Sequence, residues 1–146
     1  MNDTVKTWDQ IKQEWLDNRS HWIKSSEGIN KNVIEWAEDF GKELAGNSNN
    51  NKKVIGKLTT SQLRKFFGQL KRIQAAGFDK INKSELYMLK AQLAYAKGRD
   101  KGKTKIIYFA EILSSAIDYI EDKEHFKNFV NIVEAIVAFH KANGGE

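Results

Sequence analysis

The sequence predicts an all-α fold, a compact bundle of five or six helices with a basic face. The chain of 146 residues contains no proline, whose fixed φ and missing N–H group disrupt helix interiors. Apolar residues recur at helical spacing through most of the chain, and few glycines interrupt these periodic segments. The length fits one domain with its own core. We therefore treat residues 1–146 as a single helical domain.

Residues 1–45 predict one or two acidic, tryptophan-rich helices. Trp8, Trp15 and Trp22 follow heptad spacing, and a second periodic stretch with Trp36 begins after Gly28. Tryptophan side chains can stack on unpaired bases. Because this segment is acidic and its tryptophans lie among aliphatic residues, we assign them to core or partner-helix contacts instead.

An asparagine-rich stretch, "AGNSNNNKK" at 45–53, follows this segment. It is polar and non-periodic, which predicts a flexible surface loop over 46–57. The loop separates the acidic N-terminal segment from a helical core over 58–146. It is too short to establish two domains.

Capping signals define the third and fourth predicted helices. The third helix has one of the hydroxyl residues 59–61 as its N-cap and ends before Gly77. The fourth begins at "NKSE", where Asn82 and Glu85 have capping-box spacing, and stops at Gly98.

Two apolar helices complete the predicted bundle. Thr104 is the expected N-cap of the fifth helix, "KIIYFAEILSSAIDYI". The last helix is "KEHFKNFVNIVEAIVAFHKA", which Gly144 closes.

Charge is distributed unevenly along the chain. Residues 1–51 contain 6 Lys and Arg against 9 Asp and Glu, and residues 106–146 contain 3 against 7. The middle segment, 52–105, contains 15 against 3, a net charge of +12 in a chain whose total is +5. This distribution favours an anionic partner. Nucleic acid is the first candidate, and an acidic protein surface fits the same rule.

The third predicted helix, in "LTTSQLRKFFGQLKR" at 58–72, separates apolar from cationic residues. Its cationic arc contains Arg64, Lys65, Lys71 and Arg72. No acidic residue lies between positions 58 and 78, whereas solvated faces usually mix both signs. Ser61, Gly68 and Ala75 lie in the same arc and are small enough to let a nucleic-acid backbone approach. We interpret this arc as a surface for an anionic ligand.

The basic pattern continues through the fourth helix. Lys83, Lys90 and Lys97 are spaced seven residues apart and form one row. The stretch "KGRDKGKTK" at 97–105 then predicts a glycine-broken loop with a single acid, Asp100. Its cations are Lys97, Arg99, Lys101, Lys103 and Lys105. Such a loop can follow a phosphate backbone.

Several protein classes are excluded by composition. The chain contains no cysteine, so it has neither disulfides nor thiolate metal sites. No apolar run approaches the length of about 20 residues that a membrane span needs. The first residues, "MNDTVKTWDQ", lack the features of a signal peptide. We expect a cytoplasmic protein.

No motif in the sequence supports catalysis or metal binding. The "GKT" at 102–104 resembles the end of a Walker A loop, but Lys97 stands where that motif needs glycine. His125 has Glu121 and Asp122 nearby in sequence but no identifiable third ligand. No arginine is followed by histidine at the Arg-x4–6-His spacing of the all-helical ribonucleases. We expect no enzyme activity, cofactor or metal.

Three stretches together resemble the small helical subunit of the type III-A CRISPR effector, the Csm complex. They are "LTTSQLRKFFGQLKRI" (58–73), "LKAQLAYAKGR" (89–99) and "FVNIVEAIVAFHKANGG" (129–145). In that family a Thr-Ser-x-[Leu/Ile]-Arg helix precedes a Leu-Lys-x-x-Leu-Ala-Tyr-x-x-Gly-Arg segment, and a terminal helix ends in a Phe/Tyr-His-Lys run. The resemblance covers about residues 55–145. Ala91 and Lys97 depart from it, since the family often has proline and a small residue there.

This resemblance implies a non-catalytic protein of antiviral defence, stacked in several copies along a guide RNA–target RNA duplex. Its partners would be the guide RNA, the target RNA, and the large and backbone subunits of the complex. Family members contact the nucleic-acid backbone more than the bases, because guide pairing reads the sequence. Cutting of target RNA and DNA belongs to the other subunits.

We expect RNA contact first from Arg64, Lys65, Arg72, Lys90 and Arg99. Lys71, Lys97 and Lys101 are secondary candidates. Arg64 and Arg99 match the family's motif arginines and rank highest, because arginine can bind a phosphate through two parallel hydrogen bonds. Tyr95, inside the family segment, is expected to pack rather than to stack on a base.

The acidic ends of the chain suggest self-association. Stacked copies would place the acidic surface of one against the basic region of the next, and a homodimer through the tryptophan stripe is the rival arrangement. Two alternative functions remain open: a free-standing helical nucleic-acid-binding protein, such as a DNA-binding regulator, and a basic protein-interaction bundle. A regulator would need base-reading side chains, whereas the exposed residues here are cations suited to phosphate.

Overall fold

The computed structural model describes residues 6–50, 53–78 and 80–145, without the side chains of 48–50, 53–54 and 80–82. Within these ranges the chain forms six helices and a two-stranded ribbon. The helices are α1 (Trp8–Lys24), α2 (Lys31–Ala45), α3 (Thr60–Ala76), α4 (Lys80–Asp100), α5 (Ile106–Ile117) and α6 (Lys123–Ala142). The predicted all-α helical bundle is confirmed. No helix in the described part of the chain is long and apolar enough to cross a membrane.

The polar segment predicted as a loop contains a short antiparallel ribbon. Strand β1 (Ser48–Asn50) pairs with β2 (Lys53–Ile55), with Asn49 opposite Val54. The stretch predicted as a flexible surface loop over 46–57 therefore contains regular structure at its centre, which the sequence did not predict. A ladder between two strands needs only main-chain hydrogen bonds, so a polar stretch can form one without any apolar alternation.

The predicted limits of α3 and α6 are confirmed. The Thr59 hydroxyl accepts the Gln62 backbone N–H at 3.2 Å, and the Gln62 side-chain oxygen accepts the Thr59 backbone N–H at 2.9 Å. This reciprocal arrangement satisfies two orphan donors at the start of α3. The helix ends before Gly77, whose φ of +91° suits a glycine. Helix α6 spans the predicted residues, and Gly144 with a φ of +90° follows it.

Helix α4 is longer than predicted at both ends. It begins at Lys80, so Asn82 is not its N-cap, and it continues through Gly98 to Asp100. Glycine inside a helix costs only about 1 kcal/mol relative to alanine, and Gly98 keeps a negative φ. The chain reverses instead at Lys101 and Gly102, whose φ angles are +54° and +75°. The expected loop over 97–105 is therefore helical over its first four residues.

Helix α5 begins one residue later than predicted and ends three residues earlier. Lys105 occupies the N-cap position and makes no side-chain cap hydrogen bond. The Thr104 hydroxyl still accepts the Ile106 backbone N–H, at 3.3 Å. Thr104 therefore satisfies a donor of the first turn, although it is not the N-cap residue.

The tryptophan stripe lies in the core, as the sequence predicts. Trp15, Trp22 and Trp36 are buried and pack against one another, with 4.8 Å between the ring centroids of Trp15 and Trp36. Trp8 is partly buried and stacks on Tyr108, at 4.1 Å between ring centroids. The structure contradicts a homodimer through this stripe, because Trp15, Trp22 and Trp36 are buried within a single chain and cannot contact a second copy. Self-association by another surface stays a prediction.

Residues 56–58, which we call the junction segment, connect four helices at one end of the bundle. Gly56 donates its N–H to the Lys103 carbonyl at 2.8 Å and accepts the Lys105 N–H at 2.9 Å. Leu58 donates its N–H to the Leu44 carbonyl at 2.8 Å, and the Leu58 carbonyl pairs with the buried ring of His140. These bonds fix the start of α3 relative to the ends of α2 and α6 and to the start of α5.

Helices α2 and α6 form the most extensive helix–helix contact in the described chain. Their close approach occurs at Gly41, where an added Cβ would lie 2.7 Å from the Phe139 Cβ and 2.8 Å from the His140 nitrogen. Gly68 in α3 differs, since a Cβ there would meet no atom within 4 Å. The two glycines therefore have opposite consequences when replaced.

We predict that Gly41→Ala destabilises the protein, by about 1–3 kcal/mol, because the new methyl group overpacks the α2–α6 contact. Gly68→Ala should stabilise it by about 0.5–1 kcal/mol, since alanine is the better helix former. Urea unfolding followed by circular dichroism measures both changes in the free energy of unfolding. A Gly41→Ala protein as stable as the wild type would refute the close packing described here.

Candidate nucleic-acid interface

Helices α3 and α4 enclose a groove whose first part is basic. The start of α3 faces the end of α4 there, with Lys65 on one side and Arg99 on the other. Lys103, from the turn after α4, completes the rim. The space between them is a cavity of about 370 Å³, which we call the basic cavity. Its lining also includes the buried side chains of Phe66 and Ile106.

The acid in this cavity is held by other groups. Both oxygens of Asp100 accept hydrogen bonds from Thr104, one from its backbone N–H and one from its hydroxyl, each at 2.8 Å. The Gln62 amide donates to the same hydroxyl at 3.4 Å. Among the residues that the structure describes, no acid forms an ion pair with Lys65, Arg99 or Lys103. The lining of the basic cavity therefore carries three cations and one acid, and none of the three cations forms an ion pair within the described residues.

The groove continues along α3 and α4 into a second cavity of about 210 Å³. Arg72 lines it together with Gln92 and Glu85 of α4. Lys65 and Arg72 are seven residues apart, so two helical turns place them in one row beside α4. Because Arg72 and Glu85 have opposite charges, the lining of this second cavity has no net formal charge, unlike that of the first.

Arg64 and Lys71 form a different row on α3. Both are exposed and lie seven residues apart, and neither lines the two cavities of the groove. The Lys71 ammonium sits 5.9 Å from the ring centroid of Phe67. The cationic arc predicted on α3 is therefore split into a row along the groove and a row outside it.

The structure separates Lys90 from the other candidates. Its ammonium lies 3.1 Å from the Asp118 carboxylate, and its side chain lines a separate cavity with α1 and α5 residues. The row of Lys83, Lys90 and Lys97 thus lies on the α5 side of α4, away from the groove. The expected RNA contact of Lys90 stays a prediction, but the structure places it in an ion pair with an acid 28 residues away, which the sequence does not reveal.

Lys105 does not belong to the surface at all. It is 1% exposed, and its ammonium donates to the Glu43 backbone carbonyl at 2.7 Å and to the Glu43 carboxylate at 2.8 Å. Lys101 is exposed in the turn after α4, near but outside the lining of the basic cavity. Only part of the charge of segment 52–105 is therefore available to a ligand.

Tyr95 is more exposed than the sequence analysis predicts. It lies two residues beyond the buried Leu93 and so points away from the core side of α4. Its side chain is 70% exposed and lines the basic cavity. The prediction that Tyr95 packs is wrong.

His125 and its neighbouring acids close the start of α6. The Nδ1 atom of His125 accepts the Glu121 backbone N–H at 3.1 Å, and the Asp122 carboxylate accepts the His125 backbone N–H at 2.9 Å. In the described ranges no group of three or more His, Cys, Asp or Glu residues could hold a metal ion. These side chains act as caps for the helix.

Comparison with known proteins identifies the family. The sequence model of the Csm2 type III-A family matches residues 29–146. The chain belongs to this family. The CRISPR system Cms protein Csm2 of Streptococcus thermophilus is 34% identical over 93 residues, which cover 61% of this chain and 75% of that relative. No solved structure matches the chain.

Membership in the Csm2 family confirms the resemblance to the small subunit of the type III-A CRISPR complex. The match also begins earlier than the expected residue 55, because it includes α2 and the ribbon. Helix α2 carries no short motif that could have revealed this. Its contribution is the packing surface around Gly41 and Trp36.

We predict that two lysines of the basic segment differ sharply in their effect on stability. Lys105→Ala should lower the free energy of unfolding by about 3–5 kcal/mol, because it removes one partner of a buried ion pair. Lys90→Ala should change it by less than about 1 kcal/mol, because that pair is exposed. Urea denaturation of both variants makes the comparison, and equal losses would disprove the distinction.

Proposed function

We propose that this Csm2 family member is a non-catalytic, RNA-binding subunit of a type III-A CRISPR ribonucleoprotein in antiviral defence. In this proposal the groove between α3 and α4 lies along the path of the guide RNA and target RNA. One observation carries it: Lys65, Arg99 and Lys103 line one cavity whose single acid is Asp100, and none of the three forms an ion pair among the described residues. Such a cluster attracts a polyanion, and RNA is the polyanion that the family assignment favours.

The chemistry of the three side chains fits a phosphodiester backbone. Arg99 has a planar guanidinium that can donate two parallel hydrogen bonds to one phosphate. Lys65 and Lys103 add point charges that can reach neighbouring phosphates. Contacts of this kind hold RNA without reading its sequence. Sequence recognition is then left to pairing between guide and target.

The geometry changes the ranking of the proposed contact residues. Arg99, Lys65 and Lys103 come first, and Arg72 extends the same groove. Arg64 and Lys71 form a second row that a bound RNA would meet beside the groove. Lys97 and Lys101 are exposed and remain secondary. Lys90 joins them, because RNA would have to compete with its exposed ion pair to Asp118.

The proposed partners include the large and backbone subunits of the complex and further copies of this chain. The acidic segments 1–51 and 106–146 offer surfaces of opposite sign to the basic segment 52–105. A head-to-tail arrangement of copies would join these surfaces and leave the row of grooves along one RNA. Several weak sites on one strand would then act together and raise the overall affinity.

We predict that RNA binding by the isolated protein depends steeply on salt and that the basic cavity supplies part of this dependence. Lys65→Gln/Arg99→Gln should reduce the log–log salt slope by about 1.4, since each phosphate contact to a single strand contributes roughly 0.7. The matched control is Lys127→Gln/Lys141→Gln, which removes two exposed charges from α6. Fluorescence anisotropy of a labelled single-stranded RNA across a salt series measures the slopes.

The outcomes separate this proposal from its alternatives. Equal slopes in the two double variants would mean that the charge acts without a defined site, which contradicts the groove. Tighter binding of duplex DNA than of RNA by the wild-type protein would favour a free-standing DNA-binding protein. No binding to any nucleic acid at low salt would favour an acidic protein partner for the basic face.

A further inference from the structure

Tyr95 is an exposed aromatic ring at the edge of a cationic site. Its side chain is 70% exposed, the largest exposed fraction among the large apolar side chains that the structure describes. It lines the same cavity as Lys65, Arg99 and Lys103. Exposed aromatic rings beside cations are the elements with which proteins bind single-stranded nucleic acids, because every base offers a face for stacking.

We propose that the basic cavity binds one unpaired RNA nucleotide, with its base stacked on Tyr95 and its phosphate held by Lys65, Arg99 and Lys103. This inference rests on the proposed function and adds to it a preference for unpaired over paired RNA at this site. Cations alone would contact the backbone of either form. The ring supplies the contact that only an exposed base can make.

The size and lining of the cavity fit this ligand. Its volume of about 370 Å³ lies within the range of small-ligand pockets, roughly 300–1,000 Å³. The buried side chains of Phe66 and Ile106 contribute to the lining beneath the cationic rim. A nucleotide has the same division, with an apolar base face and an anionic phosphate. The Gln62–Thr104–Asp100 hydrogen bonds hold the two walls in place.

The proposed preference for single-stranded RNA follows from the geometry of the RNA duplex. Inside a duplex the neighbouring pairs cover both faces of every base, so only the outer faces of the two terminal pairs are open, whereas unpaired bases can be stacked on aromatic side chains. A base can reach Tyr95 only where it is not stacked inside a helix. The Tyr95 ring therefore contributes to binding along single-stranded RNA and not to binding along the paired interior of a duplex.

The chain contains a matched control on the same helix. Tyr87 is also exposed, at 49%, but it does not line the basic cavity. Eight residues separate the two tyrosines, which is about 12 Å along α4. Replacement of Tyr87 removes an equivalent ring from the same helix without touching the site.

The test compares wild-type protein with Tyr95→Ala, Tyr95→Phe and Tyr87→Ala. Anisotropy titrations use a labelled single-stranded RNA and a blunt RNA duplex of equal length at fixed salt. Tyr95→Ala should weaken binding of the single strand roughly 5- to 150-fold, the range expected for loss of one base–aromatic stack. Tyr95→Phe should bind like the wild type, because the ring is retained. Tyr87→Ala should change neither titration, and the salt slope of Tyr95→Ala should equal that of the wild type.

Two results would overturn the inference while leaving the proposed function intact. One is unchanged single-strand binding by Tyr95→Ala, and the other is an equal loss for single strand and duplex. Failure of the wild type to bind either RNA would overturn both proposals together. Thermal unfolding of Tyr95→Ala checks that the exposed substitution leaves the fold unchanged.

Discussion

The main-chain hydrogen bonds of the junction segment, residues 56–58, are the constraint on which the basic cavity depends. Three cations that converge on one cavity repel each other, so the backbone must hold them together. Gly56 exchanges hydrogen bonds with Lys103 and Lys105, and Leu58 bonds to the end of α2 and to His140 of α6. Because α3 begins directly after this segment, Lys65 is fixed relative to the turn that carries Lys103.

The buried Lys105–Glu43 pair shows that some of the lysines in the basic segment stabilise the fold, while others are exposed to a ligand. Lys105 ties the start of α5 to the end of α2, while Lys103, two residues earlier, faces the cavity. Lys90 pairs with Asp118 across the α4–α5 contact. What remains for a ligand is a smaller set of cations, concentrated along one groove. This concentration is the reason for the proposed location of the RNA-binding surface.

Local signals in the sequence were sufficient for much of the fold. Hydroxyl caps and glycines gave the limits of α3, and apolar periodicity gave α6 and the buried tryptophans. Contacts between residues far apart in the chain could not be predicted from the sequence. Neither the bridge between Gly56 and Thr104 nor the pairing of Lys90 with Asp118 leaves a local pattern. The continuation of α4 through Gly98 also escaped prediction, and with it the placement of Lys97 and Arg99 on a helix.

Nuclear magnetic resonance can test directly whether RNA binds in the groove between α3 and α4. Backbone amide shifts would be recorded while a short single-stranded RNA is titrated into the ¹⁵N-labelled full chain. The largest shifts are expected on residues 62–73 of α3 and on 85–104, which contain most of the residues that line the groove. Largest shifts on α1, α2 or α6, with the groove unperturbed, would contradict binding in the groove.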